Sequence, residues 1–193
     1  RFGEVSTTLS EDVKRSIGGA LGSRDMIVSD KLCAFGLEST IVDCTATKPR
    51  ILRLGAINRA LIEDVLKLKI SHVNKTEENK KISGAFKIHY SPNTPLFLLN
   101  KLEVIKFLKK QLFESKKSQF FFWGFSFLKT DHSNLDQQIA PNDPLEYARK
   151  MYALLNKIDQ LKYEKIFFER PPQTKHWEAI IDRLNKASYK FRN

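Results

Sequence analysis

Cysteine is scarce in this chain. Cys33 and Cys44 are the two present, in 193 residues. They form no C-x-x-C and have no histidine at zinc spacing, which excludes a disulfide scaffold and a zinc ribbon. Reduced, structural thiols in a cytoplasmic protein are the expectation. No apolar run approaches the roughly 20 residues that a bilayer-spanning helix needs, so no membrane partner is expected. The first ten residues lack the apolar stretch of a secretory signal. There is no G-x-G-x-x-G, and hence no dinucleotide fingerprint. Internal repeats and low-complexity tracts are absent too. Acidic residues are outnumbered 22 to 33, leaving a formal net charge of +11.

Much of that excess is local. Residues 67–117 hold 12 Lys against 4 acidic residues, a net +8. Two readings stay open: a solvated face, or an electrostatic landing zone for nucleotide or RNA. No aromatic and basic residues interleave in the manner of sequence-specific RNA readers. Hydrophobic residues make up 41% of the chain, enough for a packed core.

The pattern divides the chain in three. In residues 1–70, Thr8-x-x-Glu11 reads as a capping box for a helix that should fail near Gly18-Gly19 or Gly22. Met26-Ile27-Val28, Thr40-Ile41-Val42 and Ile51-Leu52-Arg53 read as short strands, and Asn58 as the cap of a helix through Leu66. Residues 71–94 are polar, of mixed charge and closed by prolines, and read as a linker. From Pro95 the apolar runs Leu96–Leu99, Phe120–Trp123 and Ile166–Phe168 read as strands buried on both faces. Helical stripes alternate with them: Leu102/Ile105/Leu108/Leu112, then Ala148/Met151/Tyr152/Leu155, then Trp177/Ile180/Ile181/Leu184. Asp143-Pro144 should start the middle helix. This order predicts an α/β fold whose residues 95–193 form a small Rossmann-like parallel sheet with right-handed crossovers.

The residues that could carry chemistry lie mainly before that unit. Ser39 and Thr40 open a strand after Gly36, where hydroxyls can bind a carboxylate or phosphate or merely serve a turn. Arg53 stands among apolar neighbours beside Gly55; it either meets an anion or lets its head reach water. His89-Tyr90, between Gly84 and Pro92, offers a donor and acceptor pair on an irregular segment, or two satisfied loop residues. Ser6 precedes the first helix and is suited to a phosphate or to an ordinary turn.

Taken in order, these motifs resemble the two-domain YrdC-like threonylcarbamoyl-AMP synthases. Gly36-Leu37-Glu38-Ser39-Thr40-Ile41-Val42-Asp43 is similar to that family's Gly-x-Glu-Ser-Thr-(Ile/Val)-Val-Asp block. Arg50-Ile51-Leu52-Arg53-Leu54-Gly55 follows as in the family. Ser83-Gly84 and His89-Tyr90-Ser91-Pro92 resemble its interdomain linker, and Asp182-Arg183-Leu184 its C-terminal end. Gly3 to Thr8 looks like a Gly-x-x-Ser-x-Thr segment, and Val28-Ser29-Asp30 like a short strand ending in Asp. Phe2 stands where the family commonly has Ser, and Lys31-Leu32 where a Gly-rich turn is expected.

The resemblance implies the C-terminal part of a YrdC-like twisted α/β catalytic domain, a linker and a Rossmann-like domain. It implies a nucleotidyltransferase that joins L-threonine, bicarbonate and ATP, with Mg²⁺ on the ATP, into threonylcarbamoyl-AMP and pyrophosphate. The product would pass to the machinery that makes N6-threonylcarbamoyladenosine in tRNA. By the same carry-over, Ser39 would bind threonine, and Ser6, Arg53, His89 and Tyr90 would bind ATP; no residue is assigned as acid or base. The chain begins at Arg1 and enters the family pattern more than halfway through the catalytic domain. It is therefore expected to be inactive alone. A non-catalytic nucleotide- or RNA-binding module using the basic 67–117 region is the alternative.

Overall fold

Four parallel strands organise the C-terminal half. A computed structural model describes residues 3–30, 33–72, 90–111, 118–130 and 132–189. Within it, β4 (Leu96–Leu99), β5 (Phe120–Gly124), β6 (Leu135–Ile139) and β7 (Lys165–Glu169) lie in the order β4-β7-β5-β6, all parallel. Side chains alternate between two packed faces, as the period of two requires. Leu96, Leu98, Phe121, Trp123, Ile166 and Phe168 meet α4 (Pro144–Asp159) and α5 (Glu178–Ala187). Phe97, Phe120, Phe122 and Phe167 meet Val104 and Leu108 of α3 (Lys101–Gln111). The result is a three-layer α/β unit, as expected for a parallel sheet covered on both faces.

The preceding half is built more lightly. α1 (Ser10–Ile17) is followed by β1 (Ile41–Asp43) and β2 (Arg50–Arg53), which pair antiparallel, then α2 (Arg59–Leu66) and β3 (Ser71–His72), which pairs parallel with β2. Its core, Ile51, Leu54 and Ile70, closes on Ala179 of α5. The last helix thus packs against both halves.

Local signals explain most boundaries. Asn58 Oδ1 accepts from the Leu61 amide at 3.0 Å and Asp143 Oδ1 from the Glu146 amide at 2.8 Å, so both caps form as expected. The Thr8 capping box does not. The N-cap is Leu9, so the Thr8 hydroxyl lies one position too early and has no partner among the described residues. Met26-Ile27-Val28 is not a strand. Met26 and Val28 are each 82% exposed, and an apolar triplet without a neighbour to pair with gains nothing from extension. Val28-Ser29-Asp30 is corrected with it. In α3 the buried face is Val104 and Leu108, while Leu102 points to solvent. Both cysteines are free and exposed, hence not core residues.

β6 carries no apolar run because Leu-Asp-Gln-Gln-Ile is an edge strand with one wet face. The first two residues of the expected linker, Ser71 and His72, instead extend the small sheet. Ser83, Gly84 and His89 lie outside the described residues, as do Phe2, Lys31 and Leu32. So does much of the basic region, residues 73–89 and 112–117. No helix among the described residues is long and apolar enough to cross a membrane.

Phe167 is fully buried and its ring lies within 6.1 Å of those of Phe97, Phe107 and Phe120. Phe167→Ala is expected to cost about 3–5 kcal/mol through lost transfer energy and the cavity left behind. A fall in the urea midpoint checks this; an unchanged midpoint would mean that the aromatic layer repacks without loss.

Candidate functional site

Each residue of the Gly36–Thr40 segment has a distinct structural task. Gly36 has φ +68°, and a Cβ there would stand 2.4 Å from the Ala148 carbonyl oxygen, so only glycine lets the chain lie flush on α4. Leu37 packs into the cores of both halves. The backbone of Glu38 accepts from the Ala56 amide at 3.0 Å, and the Thr40 hydroxyl donates to the Ile57 carbonyl at 2.5 Å. A Cβ on Gly55 would stand 2.4 Å from the Glu38 carbonyl oxygen and the Thr40 nitrogen. The two segments therefore touch backbone to backbone, which places Ser39 against Arg53. Arg53 donates from Nε to the Ser39 carbonyl and from Nη2 to Ser39 Oγ, both at 3.1 Å.

Beneath this pair lies an ion pair. Arg183 of α5 is fully buried. It donates from Nε to Glu38 Oε2 at 3.0 Å, from Nη1 to Asp182 at 2.5 Å and from Nη2 to the Leu54 carbonyl at 2.7 Å. Its guanidinium lies 5.2 Å from the Tyr90 ring centroid. Glu38 Oε1 accepts from Ser6 Oγ at 2.9 Å and from the Tyr152 hydroxyl at 3.4 Å. Burial by itself would raise the Glu38 pKa, but the Arg183 charge and the hydrogen bonds outweigh it, and the net shift is downward. Burial likewise works against the charge on Arg183, yet Glu38 and its other neighbours keep that charge more firmly in place than in water.

The expected site residues fall as follows. Ser39 and Arg53 are in direct contact, and Ser39 is exposed. Ser6 faces Glu38, and its carbonyl accepts from Asn156 of α4 at 2.9 Å. Tyr90 is buried with φ +63° between Arg183 and Tyr152, whose ring centroid is 5.7 Å away. Ser91 donates from its amide to the Gly3 carbonyl at 3.0 Å, so the end of the linker is fastened to the first described residue. Asp43, which closes the motif, is held at about 2 by hydrogen bonds from Thr45 and then Arg50.

Glu38 and Arg183 were not singled out from sequence as site residues. A signal existed. Position 183 shares a helical face with Ile180, Leu184 and Ala187, and an arginine in a buried stripe calls for a buried acid.

The exposed face of this arrangement presents a hydroxyl beside a guanidinium. That donor set receives an anionic group and not a bare cation. Among the described residues no three His, Cys, Asp or Glu side chains gather to hold a metal ion.

Residues 57–188 match the profile of the threonylcarbamoyl-AMP synthase C-terminal domain, and the chain belongs to that family. It is 28% identical over 192 residues to a threonylcarbamoyl-AMP synthase of Bacillus subtilis (strain 168), covering 96% of this chain and 54% of that protein. Among solved structures it is similar to P. abyssi Sua5 complexed with L-threonine. The TM-score is 0.81 at 22% identity, covering 97% of this chain and 55% of the other. It is also similar to a P. abyssi Sua5 variant in which one His and one Tyr are replaced by alanine. There the TM-score is 0.72 at 20% identity, over 96% and 52%. The chain thus spans about half the length of these relatives.

Removing one partner of the buried pair should show its weight. Arg183→Met leaves Glu38 charged and short of its main partner, at a cost of about 3–5 kcal/mol. Glu38→Gln combined with Arg183→Met should recover more than half of it in a denaturation cycle. Because the Glu38 pKa is depressed by folding, its contribution is full above the ordinary value of 4.5 and is lost as pH falls through the folded value. Glu38→Gln should therefore flatten the acid limb of stability below that point. An acid limb identical to that of the parent would contradict the assignment.

Proposed function

We propose that this chain is the C-terminal part of a threonylcarbamoyl-AMP synthase, a nucleotidyltransferase. Its threonine and nucleotide contacts meet at the Ser39–Arg53 pair. The observation that carries this reading is the Arg53 fork on Ser39, held by Gly55 and underpinned by Glu38–Arg183, in a chain of this family. The relatives supply the substrates: one carries the name threonylcarbamoyl-AMP synthase and one was solved with L-threonine.

In the proposed reaction the threonine amine and bicarbonate form a carbamate and water. A carbamate oxygen then attacks the α-phosphorus of ATP, and pyrophosphate leaves with the electrons of the broken P–O bond. Little covalent work falls to the protein in such a transfer. Positioning and charge neutralisation would carry it, with Mg²⁺ arriving on the triphosphate. The Ser39 hydroxyl would hydrogen-bond the threonine, and Arg53 and Ser6 would hold the nucleotide. The linker bearing His89 and Tyr90 would close over the site and keep water from a labile mixed anhydride. Tyr90, seated on Arg183, anchors that linker in the arrangement described above.

The product would serve threonylcarbamoyl transfer to tRNA in the cytoplasm. We also propose that turnover needs the half of the relatives' length that this chain does not span.

Pyrophosphate release that depends on threonine and bicarbonate tests the reading. Activity is expected when the chain is mixed with the remaining half of a catalytic domain, and none from the chain alone. In the mixture Arg53→Ala should lower kcat/KM by roughly 10–100-fold, the worth of a charge-assisted hydrogen bond. Ser39→Ala should act mainly on the KM for threonine. A folded, inactive mixture would sink the reading, and RNA affinity that falls steeply with salt and survives Arg53→Ala would favour the binding-module alternative.

A further inference from the structure

A second polar cleft lies away from the Ser39–Arg53 pair, between α1 and α4. Its volume is about 220 Å³, and its polar lining includes Asp12, Arg15, Asn93, Asn156, Asp159 and Gln160. The hydrogen-bond accounting there is lopsided. Arg15 gives one Nη to Asp12 Oδ1 and the other to Gln160 Oε1, the latter at 2.9 Å. Asn156 Nδ2 is used on the Ser6 carbonyl at 2.9 Å, and Gln160 Nε2 on the Asn156 carbonyl at 2.5 Å. Asn93 spends its amide and its Nδ2 on Asp159 Oδ2, at 3.0 and 2.9 Å. Arg15, Asn93, Asn156 and Gln160 thus each have donors already engaged.

Several acceptors of the cleft are spare. Asp12 Oδ2 has no hydrogen-bond partner among the described residues, although the Asp12 side chain is only 7% exposed. A buried carboxylate oxygen left unmatched is costly, and such an orphan needs a reason. Burial pushes the Asp12 pKa up against the pull of Arg15, as expected of a carboxylate short of positive partners. The side-chain carbonyls of Asn93 and Asn156 stand on the same lining and accept no hydrogen bond among the described residues. The opening carries this deficit of donors in a protein whose formal charge is +11.

A complement to such a cleft brings positive charge and several N–H donors. A divalent metal is a poor match, since no three acidic, His or Cys side chains gather among the described residues. An –NH₃⁺ group offers three donors that mixed carboxylate and amide oxygens can share.

The geometry points to this cleft as a binding site for a small primary alkylammonium ion, held through Asp12 Oδ2 and the neighbouring amide oxygens. The site spans α1 and α4. An occupant would therefore fasten residues 3–16 to the C-terminal unit beside the Asn156–Ser6 hydrogen bond.

The test titrates the chain with methylammonium and putrescine at constant ionic strength and follows the Asn156 side-chain amide and the Ser16 backbone amide by NMR. Saturable shifts are expected with both amines. Tetramethylammonium, which has the charge but no N–H, and Mg²⁺ should give none. Asp12→Asn should weaken amine binding by about tenfold or more, the loss of one charge-assisted hydrogen bond. Arg15→Gln, at a half-exposed position, frees Asp12 Oδ1 as well and should tighten binding several-fold. Shifts that never saturate, equal binding of tetramethylammonium, or affinity unchanged by Asp12→Asn would each overturn the proposal. If Asp12→Asn fails to fold, Arg15→Gln decides, and an unchanged affinity there counts against the site. None of these readouts depends on catalysis, so the outcome is separate from that of the proposed function.

Discussion

The buried ion pair between Glu38 and Arg183 is the constraint on which the rest of the molecule depends. A guanidinium with no solvent exposure is tolerable only when its charge and its donors are met. Here they are met by the Glu38 and Asp182 carboxylates, by the Leu54 carbonyl and by the face of Tyr90. Those partners come from the β1 approach, α5 itself, the end of β2 and the end of the linker. One side chain thus draws four separate stretches of sequence to one point. Replacing the pair with apolar residues could hold the two halves together, but it would not fix their register as a directional fork does.

The site inherits its geometry from that point. Glu38 precedes Ser39 and Leu54 follows Arg53, so Arg183 grips the residue next to each member of the exposed pair. Gly55 lets the two strands approach until their backbones touch, and Gly36 lets the motif rest on α4. Ser6 is drawn in by the other oxygen of Glu38. Buried charge below and an exposed hydroxyl and guanidinium above form one construction. Arg183 in the lower part is fully buried, and the upper part is positioned by it.

How much of this could be read from the chain depends on the range of the interaction. Leu96–Leu99, Phe120–Trp123 and Ile166–Phe168 announced a sheet buried on both faces because parallel strands there demand unbroken apolar runs. Asn58 and Asp143 announced helix starts because capping is local. Met26–Val28 looked like a strand and is not one, since the same apolar triplet has meaning only with a partner beside it. Leu135–Ile139 did not look like a strand and is one, since an edge position tolerates Asp and Gln. Ser39, Arg53 and Ser6 stood out through the order of motifs, and the structure sets Ser39 against Arg53 and Ser6 against Glu38. Glu38 and Arg183 were harder to read because their contact joins residues 145 positions apart. Local spacing carries no record of such a pairing.

Amide hydrogen exchange in Arg183→Met tests most directly whether the C-terminal unit holds the site segment in place. The account predicts that the amides of Ala56 and of β2 lose protection through local opening, while β5 and β7 keep theirs. Protection of Ala56 equal to that of the parent chain would contradict it. So would a loss spread evenly over both sheets, which would make Arg183 a general stabiliser and not the fastening of the site.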